Sequence, residues 1–284
     1  MRQVSGRGRT TRSISRPRFL VGNAVTPRRL TGLAVGIAAA ALVPLVSLDR
    51  LIFFPDRSVS PPPAGVVERW LTTADGVRLH AWHAIAPDGA PTLVWSHGNA
   101  GNIAGRAPIL NALAARGLGV LAYDYRGYGR SAGTPNERGV YRDVEAAYDS
   151  VAVPGARIVA FGESLGGAVS IHLATTRECA AVIVVSTFTT MRDVARFHYG
   201  VAGLIAGGAF DSLRRIQGVH VPLLVAHGDE DEVVPYALGE ALFAAAGEPK
   251  RFIQLPGAHH NDVLENPALL DAIADFARTA AANR

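Results

Sequence analysis

From Val66 onward the chain alternates short β-branched runs with helical stretches, and this order constrains the fold more than any other feature. Parallel strands need long crossovers, so the alternation predicts a mostly parallel sheet with helices on both faces, an α/β class. Val66–Thr73 and Val77–Ala86 read as an opening hairpin around Asp75-Gly76. Buried strands are expected at Thr92–Ser96, Gly119–Tyr123, Arg157–Phe161, Ala181–Val185, Pro222–Ala226 and Phe252–Leu255. Helical composition fills Ile103–Arg116, Arg138–Val151, Ala168–Thr176, Tyr236–Ala246 and Pro267–Ala281, the last with Asn266 at its N-cap and Pro267 at N1. Residues 187–218 break the alternation and read as a short cap over a site, because long excursions in compact domains are usually lids or binding loops.

The pattern G-x-S-x-G occurs twice, around Ser131 and around Ser164. A nucleophile elbow needs a strand that runs into a sharp turn and launches a helix, since that geometry exposes Oγ and aims backbone N–H groups at a developing oxyanion. Ser164 has that context, with a strand before it and Gly166-Gly167 ahead of apolar helix. Ser131 is followed by Thr134-Pro135-Asn136 and reads as part of a glycine-rich loop. The same loop holds Gly127-x-Gly129-x-x-Ala132, which starts no helix and so reads as no dinucleotide site.

A serine nucleophile requires a base, and the base an acid that fixes its tautomer. The loops after the last two strands offer both, Asp229 or Asp231 in one and His259 or His260 in the other. Spacing alone leaves both pairs open. The loop His97-Gly98-Asn99-Ala100-Gly101-Asn102 leaves an earlier strand where a second oxyanion donor is built, so the backbone N–H groups of Asn99 and Leu165 are the expected oxyanion hole. No cofactor or metal is expected: no histidine pair has a ligand-like helical spacing, and the single cysteine, Cys179, excludes multi-cysteine sites. His80, His83, His172, His198 and His220 read as structural or surface residues.

Charge decides how the N-terminus is read. Residues 1–30 carry eight arginines and no acid, which leaves 20 of the 28 basic residues against all 24 acidic ones in residues 31–284. Basicity confined to a tail argues against a nucleic-acid partner. Thr31 to Leu48 is uncharged, and its 18 residues as a helix would span about 27 Å, enough for a bilayer core. It reads as a transmembrane anchor or uncleaved signal, with the tail cytoplasmic and the remainder on the extracytoplasmic side. Residues 49–65 are expected to be a linker, with the aromatics of Leu51–Pro55 at the membrane interface, so that a chain starting near Ser60 keeps the whole 66–284 domain.

The segments HGNAGN, DYRGYGRSAGTPNE, GESLGG, HGDEDEVVP and HHND, in this order, resemble the membrane-anchored serine hydrolases of the α/β-hydrolase-domain (ABHD) group over about residues 50–280. The resemblance implies an α/β-hydrolase fold and a triad of Ser164, Asp231 and His260, although His259 stands where that group often has a small residue. It also implies hydrolysis of an acyl ester or thioester in a small-molecule or lipid-like substrate. The alternatives are a peptidase or amidase on the same fold, and a binding protein that keeps the fold without the chemistry. Oligomeric state is not legible.

Overall fold

The computed structural model describes residues 52–282 except 202 and 204–208. The expected transmembrane helix 31–48 and the basic tail therefore lie outside the described residues. Among the described residues no helix is long and apolar enough to cross a membrane.

The strands are β1 (Phe54–Pro55), β2 (Val67–Thr72), β3 (Arg78–Ala84), β4 (Thr92–Ser96), β5 (Ala100–Gly101), β6 (Gly119–Tyr123), β7 (Ile158–Glu163), β8 (Ala181–Val185), β9 (Leu223–Gly228) and β10 (Lys250–Leu255). The helices are α1 (Ala107–Ala115), α2 (Glu137–Asp149), α3 (Leu165–Thr176), α4 (Met191–Tyr199), α5 (Ser212–Arg215), α6 (Tyr236–Ala245) and α7 (Pro267–Ala282). One sheet has the order β10-β9-β8-β7-β4-β6-β3-β2, parallel from β10 to β6 and antiparallel through β3 and β2.

Alternating side chains of the central strands go to opposite faces. Val94, Ala160, Val182 and Val225 meet α2, α3 and α6 on one side, whereas Trp95, Phe161, Ile183 and Leu224 meet α1 and α7 on the other. Strands buried on both faces must be apolar throughout, which is why they read as continuous runs rather than alternations.

Local chemistry sets the helix ends. Asn136 and Thr190 accept from the amides of Gly139 and Asp193 to start α2 and α4. Asn266 caps α7 through the amides of Ala268 and Leu269. The expected helix from Ile103 is instead a 3-10 turn to Arg106 followed by α1, with Pro108, which cannot donate a hydrogen bond, in the first α-helical turn.

Part of the expected linker is not one. Ile52 and Phe53 are 7% and 4% exposed and belong to the core, so Phe53 is no interfacial aromatic, although Phe54 is exposed. β1 pairs in parallel with β5, fastening residues 54–56 to the body well before Ser60. In the cap region, α4 has no buried residue, while Phe210 packs edge-on against Phe53 and Tyr141.

Candidate active site

The carboxyl ends of β4, β7, β9 and β10 lie along one edge of the sheet, in register from Ser96 opposite Gly162 to Gly228 opposite Leu255. Open parallel sheets bind ligands at that edge, and the loops singled out in the sequence all leave from it.

Ser164 sits between β7 and α3 with φ 52 and ψ −120, a left-handed conformation that a non-glycine residue adopts only under constraint. The constraint is explicit: its N–H donates to Val185 O at 2.8 Å, and its carbonyl accepts from Gly167 N at 3.0 Å. The turn also requires glycine on both sides. A methyl group at Gly162 would overlap the Gly166 carbonyl, and one at Gly166 would overlap the carbonyl oxygen of Ser96. Helix α3 therefore begins at Leu165, three residues before the expected start, because the elbow leads directly into it.

Three sequence-selected residues meet here. His260 Nε2 lies 3.1 Å from Ser164 Oγ, and His260 Nδ1 lies 2.8 Å from Asp231 Oδ2. The second Asp231 oxygen accepts from the amides of Val233 at 3.0 Å and Val234 at 2.7 Å. Burial pushes the Asp231 carboxyl up, but hydrogen bonds from His227 and His260 outweigh it and hold the group well below the usual carboxylate range.

The rival residues point elsewhere. Asp229 is exposed and binds Gln254 Nε2 at 2.9 Å and Gly257 N at 2.6 Å. The His259 ring is half exposed between Glu230 and Glu232, and the Glu232 carboxylate raises its pKa. Ser131 is buried, donating to Asp124 O at 2.8 Å and accepting from His80 N at 2.9 Å. It fastens a loop and faces no base.

Asn99 and Leu165 line the same cavity of about 760 Å³ as Ser164 and His260. Leu165 is the first residue of α3, so its N–H has no acceptor within the helix. Asn99 belongs to a loop held at successive residues: Tyr125 Oη donates to His97 O at 2.7 Å, and Gly98 N donates to Glu163 Oε1 at 3.0 Å. The His97 ring Nδ1 lies 2.6 Å from Gly98 O and donates to it. Burial pushes the His97 pKa down to about 4, which keeps the ring neutral near pH 7.

The sequence reading missed several supports of this site. Arg106 Nε binds Glu163 Oε1 at 3.0 Å at the cavity wall. His227, read only as part of a motif, is buried with Nε2 2.9 Å from Val234 O and 3.3 Å from Asp231. From the cap region, Phe188, Met191 and Val194 contribute apolar wall.

The family described as Serine aminopeptidase, S33 matches residues 88–214. The uncharacterized protein Rv2307c of Mycobacterium tuberculosis is 40% identical over 241 residues, 80% of this chain and 86% of that protein. The α/β-hydrolase domain-containing protein aho-3 of Caenorhabditis elegans is 32% identical over 195 residues, 67% of this chain and 58% of that protein. The chain belongs to the α/β-hydrolase family. This α/β-hydrolase shares its fold with solved structures of low sequence identity. An esterase of Pyrococcus furiosus superposes with a TM-score of 0.66 at 18% identity, covering 80% of this chain and 98% of that one.

Proposed function

We propose that this α/β-hydrolase is a serine hydrolase that cleaves acyl esters or thioesters through a covalent acyl-enzyme on Ser164. The observation that carries this reading is the continuous hydrogen-bond chain from Ser164 Oγ, at the cavity wall, through His260 to Asp231. His260 Nε2 takes the Ser164 proton as Oγ attacks the acyl carbon. Asp231 keeps the Nδ1–H tautomer and stabilises the imidazolium. The amides of Asn99 and Leu165 receive the oxyanion, which no longer has to be solvated by water. Collapse expels the alcohol or thiol, protonated by His260, and water deprotonated by the same ring releases the acid.

The wall chemistry supports an acyl substrate, since Ile109, Phe188, Met191, Val194 and Leu264 present apolar surface. An aminopeptidase would need a free carboxylate for the substrate ammonium. Two glutamates line the cavity: Glu163 is already engaged by Arg106 and the Gly98 amide, while Glu265 is exposed, so the ester reading rests on the apolar wall and peptide amides belong in its test. The deciding experiment is labelling by a fluorophosphonate, together with turnover of p-nitrophenyl esters, acyl thioesters and peptide amides. Labelling and ester or thioester turnover are expected in wild type and neither in Ser164→Ala; labelling that persists in that variant would remove Ser164 from the role.

The same proposal includes an anchor at residues 31–48 with the hydrolase domain on the extracytoplasmic side, supported by the uncharged run and the arginines before it. Full-length protein should sediment with membranes and resist high-salt extraction. Release by salt would refute the anchor.

A further inference from the structure

The sequence reading treated residues 49–65 as a linker, yet Ile52, Phe54, Asp56 and Ser58 each hydrogen-bond the oxyanion loop. Asn99 Nδ2 donates to Ile52 O at 2.5 Å, and Asn99 O accepts from Phe54 N at 3.2 Å. Asp56 N donates to Gly101 O at 3.2 Å, while Asn102 Nδ2 donates to Asp56 O at 3.1 Å and Ser58 O at 2.8 Å. Pro55 lies between the two donating residues, at a position where a missing N–H does not interrupt the pairing.

The strap is itself fixed. Ile52 and Phe53 are buried, with the Phe53 ring edge-on to Tyr128 at 6.5 Å and to Phe210 at 6.1 Å. Tyr128 then turns back to the loop, its hydroxyl donating to Asn99 O at 2.6 Å. Asp56 O also accepts from Gly129 N at 2.8 Å, and the Asp56 carboxylate closes its own turn on Ser58 N and Oγ.

A planar peptide unit makes these bonds directional. Fixing a carbonyl fixes the N–H on the other side of the same unit. His97 holds the Gly98 carbonyl, which shares a peptide plane with the Asn99 N–H, while the strap and Tyr128 hold the Asn99 carbonyl and side chain. Asn99 is thereby clamped on both sides of its Cα.

We propose that residues 52–58 are a positioning strap for the oxyanion hole, so that the segment beginning four residues after the apolar run 31–48 sets the direction of the Asn99 N–H. The inference rests on the serine-hydrolase reading. Asn99 acts on the oxyanion through its backbone; its side chain, Ile52 and Phe53 act through that backbone. The strap lowers the barrier without adding affinity for the ground-state ester, because a donor aimed at the oxyanion contributes mainly in the transition state.

The test uses full-length protein and three substitutions in the strap contacts, Asn99→Ala, Phe53→Ala and Phe53→Leu. Asn99→Ala keeps the N–H and removes the bond to Ile52; Phe53→Ala removes the strap's apolar anchor. Both are expected to lower kcat by about 10- to 100-fold with KM within about twofold, a part of the 10²–10³-fold lost when an oxyanion donor is deleted. Affinity for an alkyl boronic acid, whose serine adduct carries a tetrahedral oxygen, should fall with kcat. Phe53→Leu should recover most of the activity. Wild-type kcat and boronate affinity in folded Asn99→Ala would overturn the strap, as would a raised KM with unchanged kcat. If Phe53→Ala does not fold, Asn99→Ala decides alone. Ester turnover that survives in Ser164→Ala would instead overturn the serine-hydrolase reading, and the strap inference with it.

Discussion

Asp231 directs one carboxylate oxygen at His260 Nδ1, 2.8 Å away, and gives the other to two backbone amides, so the loop backbone fixes the carboxylate that faces the ring. Asp229, two residues earlier, binds Gln254 and Gly257 on the exposed side of the loop. Asp231→Asn should lower kcat by about four orders of magnitude at neutral pH, the loss seen when a triad acid can no longer hold the correct tautomer. Asp229→Asn should retain most activity. The reverse ranking in purified, folded variants would overturn this assignment.

The two adjacent histidines separate in the same way. His260 reaches Ser164, whereas His259 interacts with Glu230 and Glu232 at the surface. His260→Ala is expected to abolish ester turnover and fluorophosphonate labelling, and His259→Ala to leave both within about twofold, as a solvated surface substitution does. Equal loss in both variants would show that the loop, and not one ring, is what activity needs.

Much of this was legible because periodicity and turn chemistry are local. β4, β6 and β8 have the expected bounds, and the other strands of the sheet differ by a few residues at their ends, where register with neighbours decides. The sharp turn at Ser164 was legible because an elbow is a local strand-turn-helix event. Spacing could not separate Asp229 from Asp231, and only the resemblance pointed to Asp231, since which carboxylate turns toward His260 depends on the amides of Val233 and Val234, which leave no compositional trace. The strap was illegible for a stronger reason. Its bonds to Asn99 and Asn102 join residues more than 40 apart, and the Pro-rich stretch after it looks like a linker.

Gly166 tests the elbow as a packing problem. A Cβ there would enter the Ser96 backbone, which cannot swing aside as a flexible side chain would, whereas Gly105 faces open space. Gly166→Ala should lose more than about 3 kcal/mol of stability or fail to accumulate, and Gly105→Ala should change stability by less than about 1 kcal/mol. Denaturant melts give the comparison. A Gly166→Ala protein as stable as wild type would mean that the turn is looser than its geometry requires.

His97 gives stability a pH dependence of known sign. Its folded pKa is about 4, below the ordinary histidine value of 6.5, because burial disfavours the imidazolium. Between those pH values the unfolded chain binds the extra proton, so stability falls as pH drops from about 6.5 to 4, by an amount on the order of 3 kcal/mol. Burial raises the Asp143 carboxyl to about 6, which acts in the opposite direction over part of that window. The informative quantity is therefore a difference. Wild type should lose more stability than His97→Asn between pH 7 and pH 4.5 in urea melts, and parallel pH profiles would refute the assignment.

Where the catalytic domain begins follows from the strap. A chain starting at Ser60 lacks two buried side chains, Ile52 and Phe53, at about 1.5–3 kcal/mol each, and the backbone bonds to Asn99, Gly101 and Asn102, at about 1 kcal/mol each. That is a large fraction of the roughly 5–15 kcal/mol by which a domain is stable. At about 2–4 °C per kcal/mol for a domain of this size, the melting temperature should fall by about 10 °C or more. Activity should fall further than the remaining folded fraction accounts for, because the Asn99 amide loses its orientation. A chain starting at Ser47 keeps the strap and should match the full-length protein in kcat. Wild-type kcat and melting temperature in the Ser60 form would show that the strap is dispensable and restore the linker reading of residues 49–65.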